Sequence, residues 1–246
     1  MHKVVSSTFR KMIKTFIAFY RWFFSLEPVE QDVSDPVQKL LNGMRVTSKC
    51  RYNASIRLKR QSQFSFFATT LLSLGLILIP LLQNSDIQLA FPPKVLNMLQ
   101  IFLAVAVLVY SVINATARYE TRAEALNECG DKIKDLIRNL RREVAESKSS
   151  GVAVNLANYN QRYDDVSTDA ENHGRVDFIM ASLEMKGDYK YTGLLRAYMY
   201  AKSNVLFGLL FLVPACMLIV ELIFVLDMLA VTTVFTPYLQ PIDSNA

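Results

Sequence analysis

The sequence contains little glycine, histidine or cysteine. Among its 246 residues only eight are Gly, two are His and three are Cys. Neither G-x-x-x-x-G-K-[ST] nor G-x-G-x-x-G occurs, which argues against the glycine-rich loops that hold nucleotide phosphates. Cys50, Cys129 and Cys216 stand far apart without a C-x-x-C pair, which argues against a disulfide framework or a zinc site. We therefore expect no cofactor, and no feature points to an enzyme.

Apolar residues, in contrast, make up 52% of the chain, and the mean hydropathy of +0.21 is high for a soluble domain. A helix needs roughly 20 residues to cross about 30 Å of hydrocarbon. Three stretches are long enough: 64–82, 95–113 and 205–225, the last extended by an apolar tail. Only 12 residues, 83–94, separate the first two, which predicts an antiparallel hairpin. The third predicts another span, with a re-entrant or buried core helix as the alternative.

The basic residues predict the orientation of these spans. Of the 27 Lys and Arg residues, 12 precede residue 64, 14 lie in 114–204 and one lies in the hairpin loop. Because basic residues concentrate on the cytoplasmic side of membrane proteins, the N-terminus and residues 114–204 are predicted to be cytoplasmic. The hairpin loop and the C-terminal tail are then external, which agrees with three spans.

The N-terminal region resembles a membrane-surface helix. Residues 8–26 place apolar, mostly aromatic side chains at helical spacing, and Pro28 ends the helix. A basic, aromatic-rich amphipathic helix is typical of the membrane interface, and we assign the interfacial anchor to Lys11, Lys14, Arg21 and Trp22. A helix packed on another protein is the alternative. Direct nucleic-acid binding is not expected, because the aromatic residues form one apolar stripe instead of alternating with a basic surface.

Charge and helix signals divide the chain into six segments. Asp35-Pro36 predicts an N-cap followed by the first residue of a helix. Residues 114–204 carry 14 basic and 14 acidic side chains, which predicts a folded helical domain. An apolar stripe in it, at 126, 133, 136, 137 and 140, implies a partner helix in this chain or in another protomer. The segments are a basic amphipathic arm with an acidic linker (1–35), a juxtamembrane helix (36–63), the transmembrane hairpin (64–113), the cytoplasmic helical domain (114–204), a third transmembrane segment (205–234) and an external tail (235–246).

Polar residues inside the apolar segments are candidate pore-lining residues. Ser65, Thr69 and Ser73 follow one another at steps of four and share one helix face. Small hydroxylated faces also serve helix–helix packing in lipid, so both interpretations stay open. Glu221 lies deep in the third segment, where a carboxylate is unfavourable unless it faces water or a polar partner. Its alternative is a protonated side chain that packs against the hairpin.

A polar turn is the candidate functional element of the cytoplasmic segment. It contains Glu171, Asn172, His173 and Asp177, with Tyr163 as a further member. No serine or cysteine nucleophile stands at a recognisable turn, and one imidazole with two carboxylates is a weak metal-ligand set. We interpret the turn first as structural, with hydrogen bonds from His173 and Asn172 fixing it against neighbouring helices. Ligand sensing or partner contact is the alternative.

Two motifs together resemble a known family. The first is Arg51-Tyr-Asn-Ala-Ser-Ile-Arg57-Leu58, which leads into the hydroxyl-bearing span and the hairpin. The second is Tyr163 followed by Glu171-Asn172-His173 and Asp177-Phe178. Over about residues 37–200 the chain is similar to the SLATT family, the SMODS- and SLOG-associating two-transmembrane effector domains of bacterial conflict systems. The N-terminal arm and the third apolar segment depart from a minimal two-span member.

This resemblance implies a membrane effector that permeabilises the inner membrane after phage sensing. It also implies a sensor partner, such as a nucleotidyltransferase, a nucleotide-sensing protein or a reverse transcriptase system. We expect an all-α membrane protein of the bacterial inner membrane that acts as a homo-oligomer, because one hairpin and one helix are too few to enclose a channel. The alternative is a membrane-anchored scaffold or regulatory subunit that docks a soluble sensor through residues 114–204.

Overall fold

The computed structural model describes residues 2–26 and 28–239, with side chains from residue 10 onward. These residues form nine helices and no strand, with one isolated antiparallel bridge between Glu30 and Tyr189. The all-α prediction is therefore confirmed. Part of the tail predicted at 235–246 lies outside the described residues. The helices are α1 (His2–Phe24), α2 (Pro36–Gln83), α3 (Pro93–Ala117), α4 (Tyr119–Ser150), α5 (Leu156–Thr168), α6 (Arg175–Glu184), α7 (Gly193–Leu209), α8 (Leu212–Met228) and α9 (Thr236–Leu239).

The start of α2 follows the sequence signal. The Asp35 side chain accepts a hydrogen bond from the Val37 N–H at 3.1 Å, and its carbonyl accepts one from the Lys39 N–H at 2.9 Å. Pro36 is the first helical residue, where its missing N–H leaves no bond unmade. The predicted N-cap is confirmed.

The contacts of the chain group into two compact units. Unit 1 contains Met1–Arg57 and Thr121–Phe207, and unit 2 contains Leu58–Glu120 and Gly208–Ala246. The boundaries fall inside α2, in the first turn of α4 and near the end of α7, so these three helices contribute residues to each unit.

Unit 1 has a core between α2, α4 and α5. Leu126, Ile133 and Leu140 of the predicted apolar stripe are fully buried. The partner helix that this stripe requires lies in this chain, because the N-terminal part of α2 and Tyr159 of α5 cover it. The buried members are Leu41, Met44, Cys129, Ile133, Leu136, Ile137, Leu140 and Tyr159.

Unit 2 contains the apolar helices. The sequence predicts a link at 83–94 between the first two apolar stretches, and in the structure α2 ends at Gln83 and α3 begins at Pro93. Phe91 stacks on Phe224 of α8 with ring centroids 4.9 Å apart. Most of the apolar surface nevertheless points outward, because only 28% of the most apolar window of α2 and 17% of that of the stretch Pro93–Ser150, which contains α3 and α4, is buried. A surface this apolar is stable in lipid and not in water, so the chain is a membrane protein.

The third apolar stretch is not one continuous helix. The sequence predicts a span from residue 205 onward, whereas α7 ends at Leu209 and α8 begins at Leu212. Pro214 explains the break, because it has no N–H for the carbonyl of Leu210 and its ring would clash with that carbonyl. Among the described residues, two helices are long and apolar enough to cross a membrane, and a third span exists if α7 and α8 form one broken span.

Candidate functional site

The polar turn of unit 1 is organised by Asp177. Its side chain is fully buried and accepts two hydrogen bonds from the Arg57 guanidinium, from Nε and Nη2, both at 3.0 Å. The same carboxylate accepts a bond from the Gly174 N–H at 2.8 Å, which caps the first turn of α6. The Asn53 side chain donates to the Asp177 carbonyl at 3.3 Å. Both motifs that carry the family resemblance therefore meet here.

Arg51 extends this cluster to α5. It is 2% exposed, and its Nη2 donates to the carbonyl of Ser167 at 3.0 Å. Ser167 lies in the last turn of α5, where the negative end of the helix dipole stabilises a cation. The Nε and Nη1 groups of Arg51 and the Nδ1 of His173 have no hydrogen-bond partner among the described residues. Burial lowers the pKa of His173, and the Arg51 charge lowers it further.

The other members of the predicted turn lie at its edge. Tyr163 and Thr47 share a hydrogen bond of 2.6 Å between their hydroxyls. Glu171 pairs with the Arg122 guanidinium at 2.9 Å, and Asn172 is exposed. The fixing bonds in the structure are those of Asp177 and Arg57. Of these two residues, sequence reasoning singled out only Asp177 as a candidate.

The carboxylates of this turn are directed at arginines. Within residues 2–26 and 28–239, no group of three or more His, Cys, Asp and Glu side chains is arranged to hold a metal ion. Asp177 faces Arg57, and Glu171 faces Arg122. The arrangement can lock α2, α5 and α6 together, and the whole network lies within unit 1.

In unit 2 the predicted pore hydroxyls make contacts within the protomer. Ser65 is 5% exposed, and its hydroxyl is 3.1 Å from the Tyr110 hydroxyl of α3. The Thr69 hydroxyl donates to the Ser65 carbonyl at 2.9 Å, and the Ser73 hydroxyl donates to the Thr69 carbonyl at 2.8 Å. These contacts join α2 to α3 and satisfy two hydroxyls inside α2.

Glu221 is packed inside unit 2. Its side chain borders an apolar cavity of about 440 Å³ between α2, α3 and α8. The residue is 9% exposed, and its Oε1 has no hydrogen-bond partner among the described residues. A Cβ atom on Gly75 would lie 1.8 Å from that oxygen, so only glycine at 75 lets the carboxylate occupy its position.

Asp227 is a buried acid whose role the sequence analysis did not assign. It is fully buried and accepts hydrogen bonds from the Thr232 hydroxyl and from three backbone N–H groups, those of Val234, Phe235 and Thr236. These bonds hold the reversal of the chain after α8. The signal in the sequence is an aspartate at a helix end followed by a threonine-rich turn, where such side chains commonly bond to the backbone.

The predicted interfacial anchor lies on α1. Lys11, Lys14, Arg21 and Trp22 are all exposed. Three of them, Lys14, Arg21 and Trp22, border a cavity in unit 1 whose other wall is formed by residues 186–196. That wall was not predicted from the sequence. Its signal was the alternation of lysine and tyrosine in KGDYKY.

A comparison with family models identifies residues 33–226 as the SMODS and SLOG-associating 2TM effector domain, family 5. The match covers most of the 246 residues, and it includes both motifs of the Asp177 cluster. No curated protein and no solved structure shows a significant match to the chain.

Proposed function

This chain belongs to the SMODS and SLOG-associating 2TM effector domain family, and we propose that it permeabilises the bacterial inner membrane as the effector of an antiviral, abortive-infection defence system. The family and the outward-facing apolar helices support a membrane effector in a defence system. In this proposal a sensor partner or a nucleotide signal triggers a homo-oligomer, and the chain itself performs no catalysis.

The observation that carries the proposal is the environment of Glu221. One oxygen of its carboxylate is buried without a partner among the described residues. Burying a polar group without a hydrogen bond is unfavourable by about 1–3 kcal/mol. Water reaching this carboxylate would remove that penalty. Contact of this oxygen with water would therefore favour a rearranged, hydrated state of unit 2.

The proposal includes an assembly and an orientation. The described part of unit 2 contributes one hairpin and α8, which are too few helices to enclose a channel, so several protomers must assemble. The distribution of Lys and Arg supports a cytoplasmic N-terminus and an external C-terminus. Cysteine labelling in intact cells tests this, since residue 86 should react from the periplasm and residue 148 should not.

The function can be tested without knowledge of the trigger. Valine at Gly75 would displace the Glu221 carboxylate, and we expect the displaced carboxylate to favour the rearranged state of unit 2. Liposomes that contain the full-length Gly75→Val chain should therefore release an encapsulated dye without any partner. Gly208→Val is the matched control, because a Cβ atom there meets nothing within 4 Å.

The result separates the proposal from its alternative. A scaffold or regulatory subunit would leave the vesicles intact in both variants. If Gly75→Val leaks, reversal potentials of Gly75→Val and of Gly75→Val/Glu221→Gln in asymmetric KCl test whether Glu221 lines the path. A carboxylate in the path attracts cations, so glutamine should reduce the preference for potassium over chloride.

A further inference from the structure

A second site lies in unit 1, between α1 and the segment from residue 186 to 196. The two form a cavity of about 560 Å³. Five cationic side chains line it, and none of the lining residues is acidic. Trp22 and two tyrosines, Tyr189 and Tyr191, supply the remaining polar and aromatic surface. The five cations are Lys14, Arg21, Lys186, Lys190 and Arg196.

Backbone bonds hold the two walls of this cavity together. After α1, the Lys190 N–H donates to the carbonyl of Val29 at 2.7 Å, and the Gln31 N–H donates to the carbonyl of Asp188 at 3.3 Å. The hydroxyl of Ser25 is 2.9 Å from that of Thr192. The cavity is therefore formed by fixed backbone and not by the chance approach of two flexible segments.

The acids nearest in sequence to the cavity residues pair with cations outside the cavity lining. Asp188 pairs with Arg45 at 3.4 Å through one oxygen, and its other oxygen has no hydrogen-bond partner among the described residues. Glu184 pairs with Lys49 at 2.5 Å. None of the five cavity cations forms an ion pair with any residue that the structure describes. A cavity whose charged lining residues are all cationic attracts an anion.

We propose that this cavity binds a phosphate group, in the form of an anionic phospholipid headgroup or of a soluble phosphate ester. Arginine and lysine are the side chains that recognise phosphate oxygens, through forked donors and a compact charge respectively. The tyrosine hydroxyls add donors at the rim. The site goes beyond membrane permeabilisation and does not depend on it.

The opposite side of α1 favours the lipid source. Met12, Phe16 and Phe19 are 61%, 69% and 58% exposed, and the helical repeat places them about half a turn away from Lys14 and Arg21. A helix with one apolar face and one cationic face lies in the headgroup region, with its charges against anionic lipid. The cavity would then hold a headgroup from the same leaflet.

Trp22 makes the site measurable, because it is the only tryptophan of the chain. The full-length protein in neutral detergent is titrated with dioleoylphosphatidylglycerol, with dioleoylphosphatidylcholine and with sn-glycerol 3-phosphate. Emission of Trp22 and its quenching by acrylamide are recorded. We expect a saturating change with phosphatidylglycerol, no change with phosphatidylcholine, and loss of the change in 0.5 M KCl. An equal change with sn-glycerol 3-phosphate would instead assign the site to a soluble phosphate ester.

Two double variants test the location of the site. Lys190→Gln/Arg196→Gln removes two cavity cations and should weaken binding about 25-fold, since each cation near an anionic surface contributes about fivefold. Lys134→Gln/Arg141→Gln removes the same charge from the exposed face of α4 and should titrate like the unmodified protein. The proposal is overturned if phosphatidylcholine acts like phosphatidylglycerol, if no phosphate compound changes Trp22, or if both double variants behave alike.

Discussion

Replacing Asp177 by alanine should destabilise unit 1 by about 3 kcal/mol. The carboxylate is fully buried, and the Arg57 side chain that it binds is only 19% exposed. Removing one partner of a buried ion pair typically destabilises by about 3–5 kcal/mol, because the remaining charge is left without compensation. Because Arg57 is partly exposed, water can reach its guanidinium, and we expect a destabilisation at the lower end of this range. The cap of α6 at Gly174 is lost as well.

The measurement is thermal unfolding of the full-length protein in detergent, followed by far-UV circular dichroism. For a chain of this size about 1 kcal/mol corresponds to roughly 2–4 °C, so Asp177→Ala should unfold on the order of 6–12 °C lower. Asp135→Ala is the matched control, because its ion pair with Arg138 lies on the surface of α4 and contributes less than about 1 kcal/mol. Asp177→Asn keeps the shape of the side chain and the hydrogen bond from the Gly174 N–H, so it should unfold at a temperature between those of Asp177→Ala and Asp135→Ala.

A double variant distinguishes the unpaired charge from lost packing. Arg57→Met/Asp177→Leu removes both charges while keeping the volume, and should recover much of the stability that Asp177→Ala loses. The reasoning is refuted if Asp177→Ala unfolds at the temperature of Asp135→Ala, or if the double variant is as unstable as the single one.

Three further predictions concern unit 1. Burial lowers the pKa of His173 below its ordinary value of 6.5, so the folded state binds fewer protons at this residue than the unfolded chain does. The contribution of His173 to stability should be complete above pH 6.5 and should fall as the pH drops from 6.5 towards the lowered pKa. His173→Gln should flatten this part of a profile of melting temperature against pH. Burial raises the pKa of Cys50 from 9.0 to about 12. Because the thiolate is the form that reacts, alkylation of Cys50 by iodoacetamide at pH 8 should be about 1,000-fold slower than in the unfolded chain. A rate like that of the unfolded chain would contradict the burial of this thiol. Gly193 has a φ of +51°, and a Cβ atom there would lie 2.0 Å from the Phe23 carbonyl oxygen. Gly193→Ala should therefore detach α1 and increase the quenching of Trp22 fluorescence by acrylamide. Gly187→Ala is the control and should leave the quenching unchanged, because a Cβ atom at 187 meets nothing within 4 Å.

Local features of this fold could be predicted from the sequence. The start of α2 depends on two adjacent residues, Asp35 and Pro36, and the hairpin depends on two apolar runs with a short link. The stripe at Ile133, Ile137 and Leu140 predicted a packed helix because its spacing matches the helical repeat. Each of these depends on residues that are close together in one stretch of the sequence.

The partners of the functional side chains could not be predicted in this way. Arg57 and Asp177 stand 120 positions apart, and no periodicity in either helix says which guanidinium a buried carboxylate will meet. The cavity of unit 1 likewise joins Lys14 to Lys190 through a chain reversal that depends on backbone bonds at 25–31 and 188–192. Long-range pairing of this kind is decided by tertiary packing, which local spacing does not encode.

The two acids of α8 show why residue type alone does not define a role. Asp227 and Glu221 lie on one helix and are both buried, and of the two only Glu221 was a pore candidate from the sequence. The Asp227 carboxylate is saturated by one hydroxyl and three backbone N–H groups, so it fixes the end of α8. Glu221 has an oxygen without a described partner and faces Gly75, where the smallest side chain leaves room. A helix that is tied at one end can pivot about that end, and in this arrangement an opening of unit 2 would separate Glu221 from Gly75.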